Sequence, residues 1–119
     1  MNVAILGASN KSDRYSFKAL QSLRKHGHSI YPLHPLLEEI DGVKVYRDLD
    51  LLPVAIDTLT LYVGAEISGK LGEKIIKLKP RRVIFNPGAE NPVLSGQLEA
   101  SGILTQQACT LVLLSTNQF

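Results

Sequence analysis

Val3-Ala-Ile-Leu-Gly-Ala-Ser-Asn-Lys-Ser-Asp-Arg-Tyr-Ser16 governs how the rest of this 119-residue chain is read. An apolar run from Val3 to Leu6 stops at Gly7, a small polar loop follows, and helical spacing begins near Ser16 and Phe17. Strand, glycine turn and helix in that order bring the free N–H groups of a helix N-terminus to one place, where they favour an anion. Gly7 has access to backbone angles closed to other residues and puts no side chain between a ligand and the main chain. Ser9, Asn10 and Ser16 add neutral donors, while Lys11 and Arg14 add positive charge. The stretch reads as a phosphate cradle. It is not the full dinucleotide fingerprint, because Ser9 and Ser12 stand where Gly-x-Gly-x-x-Gly has its second and third glycines.

Downstream, Phe17, Leu20 and Leu23 share one face of a helix that Gly27 stops. Ser29 to His34 reads as a second strand ending at Pro35, with Pro32 as an objection, since proline cannot donate to a ladder. An NAD site places an acid at the end of this strand to bind the ribose hydroxyls. Here the chain has Leu33-His34-Pro35-Leu36, with no acid until Glu38, which weighs against NAD. Asp41-Gly42 is a turn signal, and Val43 and Val45 suggest a short edge strand. Ile56 to Val63 is a strong strand pattern. Ala65 to Leu78 has helical spacing that Pro80 ends, although Gly69 and Gly72 each weaken a helix by about 1 kcal/mol relative to alanine. Arg82 to Asn86 is a buried strand followed by a turn-rich loop to Pro92. Val93, Leu94, Leu98 and Ser101 make a short helix closed by Gly102, and a last strand from Ile103 leads into an apolar tail.

Alternating strands and helices predict an α/β fold, doubly wound, with a mainly parallel sheet of five to six strands and helices on both faces. Right-handed crossovers favour the order 3-2-1-4-5(-6). Ligands of such sheets lie beyond the strand C-termini, at the switch between strands one and four. The loops at Gly7, His34, Val63 and Asn86 converge there.

The bulk properties narrow the classes. The chain is of a length for one domain, 1–119, with 45% hydrophobic and 20% charged residues. A net charge of +2, with no basic cluster interleaved with aromatics, gives no nucleic-acid footprint. The one dense basic group, Lys77, Lys79, Arg81 and Arg82, straddles a helix end, where it complements the dipole. A single cysteine, Cys109, excludes an intramolecular disulfide and reads as a small buried hydrophobe. No apolar run is long enough for a membrane span, and no leader precedes the first strand, so the cytoplasm is the expected compartment. His26, His28 and Cys109 have no metal-ligand spacing, and no nucleophile–base pair stands out, so neither metal ligands nor catalytic residues are expected.

Taken together, Val3 to Ser9, Arg14 to Ser16, Ile30 to Pro35, Gly42 to Tyr46, Asn86 to Pro92 and Ala108 to Val112 resemble the stand-alone CoA-binding domain family. That family is similar to the N-terminal domain of the succinyl-CoA synthetase α subunit. The resemblance implies a Rossmann-like fold that binds coenzyme A and carries no catalytic apparatus. By position it implies that Gly7, Ser9 and Lys11 hold the diphosphate, helped by Tyr15 and Ser16, with Ala8, Asn10 and Arg14 in the same loop. Leu33, His34 and Pro35 would border the adenosine, and Tyr62, Val63, Asn86, Pro87 and Gly88 would flank the pantetheine arm. The chain departs from the family at Leu36, where lysine is usual, and at His34, where Asn or Ser is. Lys11, Arg14 or Lys44 would then supply the missing charge. The expected function is non-catalytic binding of CoA or an acyl-CoA. The alternatives are an NAD(P)- or CoA-dependent enzyme or enzyme subunit, and an interaction protein with a vestigial pocket.

Overall fold

The opening apolar run folds as the strand on which both layers of the molecule pack. In the computed structural model, which describes residues 1–119, the elements in chain order are β1 (Asn2–Leu6), α1 (Tyr15–Lys25), β2 (Ser29–Leu33), β3 (Glu39–Ile40), β4 (Val43–Lys44), a 3-10 turn (Leu49–Leu51), β5 (Thr58–Leu61), α2 (Ala65–Gly69), α3 (Gly72–Leu78), β6 (Arg82–Phe85), α4 (Pro92–Ala100), β7 (Leu104–Gln107) and α5 (Thr110–Ser115). Successive strand side chains point to opposite faces. Val3 and Ile5 of β1 therefore join Leu20 and Leu23 of α1 and Leu114 of α5. Ala4 joins the other layer, with Leu59 and Leu61 of β5, Val83 and Phe85 of β6, Ile75 of α3 and Leu94 of α4. A sheet buried on both faces needs continuous apolar strands, and Val3, Ala4 and Ile5 are all fully buried.

Five parallel strands pair in the order β2-β1-β5-β6-β7. Strand order reverses between β1 and β5, which makes their carboxyl ends the switch point. The third position of the expected 3-2-1-4-5(-6) order is reduced to one parallel bridge between Leu33 and Tyr46. The chain before it is spent on a two-residue hairpin, with Asp41 at φ 50° and Gly42 at φ 79°, the positive pair that an Asp-Gly turn accommodates. Pro32 is tolerated because its carbonyl, and so its ring nitrogen, faces away from β1. That carbonyl accepts the Tyr46 N–H at 2.9 Å.

The expected helix over 65–78 is two helices. Leu71, at φ −105° and ψ 4°, separates α2 from α3. Gly72 serves helix–helix approach, since a Cβ there would lie 3.2 Å from Leu94 Cδ1 of α4, whereas one on Gly69 would make ordinary contact at 3.7 Å from Asn91 Nδ2. Helix α4 begins one residue before the expected Val93 and ends where expected, with Ser101 as its C-cap. Asn91 Oδ1 accepts the Leu94 N–H at 3.1 Å and Pro92 opens the first turn, so the pair is a cap and an N1 residue. No helix is long and apolar enough to cross a membrane.

Candidate functional site

Beyond the carboxyl ends of β1, β5 and β6 lies a cavity of about 450 Å³. One wall is the loop after β1 with the start of α1: Gly7, Ser9, Asn10, Lys11, Arg14, Tyr15 and Ser16. Tyr62, Pro87, Gly88 and Ala89 form the opposite wall, and His34 stands at one side. Lys11 and Arg14 are its cations, and no carboxylate lines it. The loop holds its own shape. The Lys11 N–H donates to Ser9 Oγ at 3.1 Å, and the Arg14 N–H to the Lys11 carbonyl at 3.1 Å. Arg14 at the N-cap makes no capping bond, and the N–H groups of Tyr15, Ser16 and Phe17 find no acceptor within the protein. Those donors carry the positive end of the α1 dipole, so the place suits an anion.

Gly7 sits at φ +88°, a region that favours glycine. Its missing side chain also has a second cause, different from ligand approach. A Cβ there would stand 2.8 Å from Val63 Cγ1 and 3.0 Å from the Tyr62 carbonyl carbon. The protein's own β5 end occupies that space.

A second cavity, of about 260 Å³, adjoins the first and shares Gly7 and His34 with it. Its walls are apolar: Leu6, Leu33 and Pro35 on one side, Leu49, Val63, Ile67 and Leu71 on the other. Arg47 and Asp48 are its charged residues. Asp48 is occupied: Lys74 Nζ lies 2.6 Å from its Oδ2, and its Oδ1 accepts the Asp50 N–H at 3.0 Å. The Lys74 ammonium holds the Asp48 carboxyl below its usual range. His34 Nδ1 accepts the N–H groups of Leu36 and Leu37, both at 3.0 Å, which leaves the ring hydrogen on Nε2. His34 thus fixes its own turn and offers the site one donor.

Three of the residues assigned from sequence stand elsewhere than expected. Val63 lines the apolar cavity beside Leu33, away from the turn after β6. Ala8 lines neither cavity; it is buried, and its N–H donates to the Leu33 carbonyl at 3.3 Å. Asn86 also lines neither, because every group of its side chain is engaged inside the protein. Its Nδ2 donates to Thr60 Oγ1 at 2.7 Å and to the Leu61 carbonyl at 2.9 Å, and its Oδ1 accepts the Thr110 N–H at 2.8 Å. It ties β5, β6 and α5 together beneath the Pro87–Ala89 wall. Cys109 is half-buried at the N-cap of α5 and touches neither cavity. Lys44, one of the three cations expected to supply charge, lies over the Tyr46 ring at 5.3 Å. Sequence reasoning misses Arg47, Ile67 and Leu71. Helical spacing places Ile67 and Leu71 on a buried helix face, and Arg47 reaches the site only through the bridge to Leu33.

Tyr62 lines the first cavity, yet its hydroxyl is buried without a hydrogen bond. Burial pushes the phenol up to about 12. A neutral phenol favoured by folding contributes stability below pH 10 that is lost as pH rises toward 12. An alkaline titration followed by tyrosinate absorbance should show a late component, near pH 12, that belongs to Tyr62. Tyr62→Phe removes the late component and, by deleting an unpaired buried hydroxyl, stabilises the fold by about 1 kcal/mol. A late component that persists in Tyr62→Phe contradicts the assignment.

The family described as "CoA binding domain" matches residues 1–115. Over 80 residues, 61% of the chain, the sequence is 30% identical to the ADP-forming acetate–CoA ligase of Methanocaldococcus jannaschii. Over 62 residues, 51% of the chain, it is 29% identical to the α subunit of ADP-forming acetate–CoA ligase II of Pyrococcus furiosus. The chain spans 11% and 14% of the lengths of these two relatives. A solved structure described as an uncharacterized protein superposes with a TM-score of 0.90 at 36% identity, covering 99% of this chain and 97% of its own.

Proposed function

We propose that this chain, which belongs to the CoA binding domain family, holds CoA or an acyl-CoA and performs no chemistry of its own. The observation that carries the reading is the pair of adjoining cavities, one polar and cationic, the other apolar, meeting at Gly7 and His34. CoA has the same division. Its diphosphate would settle against the unpaired N–H groups at the start of α1, with Lys11 and Arg14 alongside. The adenine would enter the apolar cavity between Leu33, Pro35, Val63 and Ile67, where flat apolar faces are desolvated. The pantetheine arm would run past Tyr62, Pro87 and Gly88. NAD fits less well, because the one acid that lines the apolar cavity, Asp48, is committed to Lys74. The unit acts as one domain with a small-molecule ligand. A cytoplasmic setting suits its single free thiol.

A second reading is favoured by the ligase relatives: the chain would be the CoA-holding part of a larger assembly whose partner supplies the catalytic groups. Calorimetry with CoA, dephospho-CoA, ADP and NAD separates the possibilities. The proposal expects CoA to bind tightest, with no product formed in its presence. Preference for NAD supports an oxidoreductase, and silence to all four ligands supports a vestigial pocket. If CoA binds and turnover appears only when a protein partner is added, the subunit reading holds.

A further inference from the structure

We infer that Arg47 recognises the 3′-phosphate on the ribose of CoA, and so makes this site prefer CoA to ligands that share its ADP core but lack that group. The inference rests on the CoA reading above and adds to it the residue that sets specificity. A ribose 3′-phosphate next to an adenine in the apolar cavity places a dianion at the rim of a compartment with almost no polar lining. Such a group needs a cation within reach. Of the cations around the site, Lys11 and Arg14 line the other cavity, where the diphosphate would lie. Lys44 rests on the Tyr46 ring. Lys74 is bound to Asp48 at 2.6 Å and stands 3.7 Å from Asp50. The residue after Pro35, Leu36, is apolar and exposed. Arg47 is the one Lys or Arg that lines the apolar cavity, and it forms no ion pair.

Its backbone is held in place. Tyr46, immediately before it, exchanges two main-chain hydrogen bonds with β2 and the residue beyond it: its N–H to the Pro32 carbonyl at 2.9 Å, and its carbonyl from the His34 N–H at 3.0 Å. Asp48, immediately after it, caps the 3-10 turn. The base of the Arg47 side chain is therefore fixed against the strand end where the adenosine would sit. The carboxylate next to it is neutralised by Lys74, so a phosphate meets little repulsion there. A guanidinium also suits a phosphate dianion, because its planar fork bonds two phosphate oxygens at once.

Calorimetry with CoA and dephospho-CoA on the wild type, Arg47→Gln and Lys11→Gln tests this. The wild type should bind CoA about tenfold more tightly than dephospho-CoA, the yield of a charge-assisted contact at an exposed rim. In Arg47→Gln that ratio should collapse to about one, while Arg47→Lys should keep part of it. Lys11→Gln should weaken both ligands and leave the ratio intact, since the diphosphate is common to the two. Equal wild-type affinities, or an undiminished ratio in Arg47→Gln, overturns the role of Arg47 while leaving the CoA reading standing. Failure of the wild type to bind either ligand overturns both. Arg47 is exposed and unpaired, so its replacement should not disturb folding, and an unchanged urea midpoint checks that.

Discussion

Asn86→Leu lowers the unfolding free energy by about 3 kcal/mol or more, the largest loss expected from any single polar replacement in this protein. Asn86 is 1% exposed and donates or accepts in three directions at once. Leucine matches its size but leaves the Thr110 N–H and the Leu61 carbonyl buried with fewer partners, and each unpaired group costs about 1–3 kcal/mol. Thr60 Oγ1 keeps Thr110 Oγ1 at 2.8 Å, which offsets part of the loss. Asn86→Asp is the informative companion. It retains the acceptor for Thr110 and loses the donor for Leu61, so it should also destabilise, and more as the carboxyl ionises with rising pH. Urea unfolding reads both variants as a fall in midpoint with little change in slope. A loss below about 1 kcal/mol for Asn86→Leu would mean that the three bonds are not the junction they form here.

Lys11→Gln with Arg14→Gln reduces CoA affinity by about thirty- to a hundred-and-fiftyfold, from about 1 to 1.5 kcal/mol for each charge at a partly solvated phosphate. Both side chains line the cavity, are exposed and have no acidic partner, so the double variant should unfold at the wild-type urea concentration. The loss should be similar for CoA and ADP, which share the diphosphate, and should shrink with added salt as the wild-type interaction is screened. Unchanged CoA affinity in the double variant would mean that these two residues do not hold the diphosphate. A loss for CoA without one for ADP would move them from the diphosphate to the arm.

What is legible in the sequence is mostly local. Val3 to Leu6 can only be a buried strand, Gly7 needs a positive φ, and the apolar face of Phe17, Leu20 and Leu23 has a single period, so β1, the cradle and α1 follow from neighbours along the chain. The sheet order follows too, because right-handed crossovers leave few arrangements of alternating strands and helices. What is not legible depends on distant partners. Asn86-Pro87-Gly88 has turn propensity, and nothing in it shows that the amide is buried against β5 and α5. Ile67, Leu71 and Leu78 keep helical spacing across a break at Leu71, since spacing does not register that α4 must fit against Gly72. Arg47 looks like an ordinary surface cation, because its place beside Pro35 comes from the Leu33–Tyr46 bridge between segments a dozen residues apart.

The most direct measurement is a titration of 15N-labelled protein with CoA, followed amide by amide. Binding at the start of α1 predicts the largest shifts at Ser9, Asn10, Tyr15, Ser16 and Phe17, with a second group at Leu33 to Leu37 and at Arg47, and small ones along β7 and α5. Shifts confined to β7, α5 or the hairpin of β3 and β4, or none at saturating CoA, would contradict it.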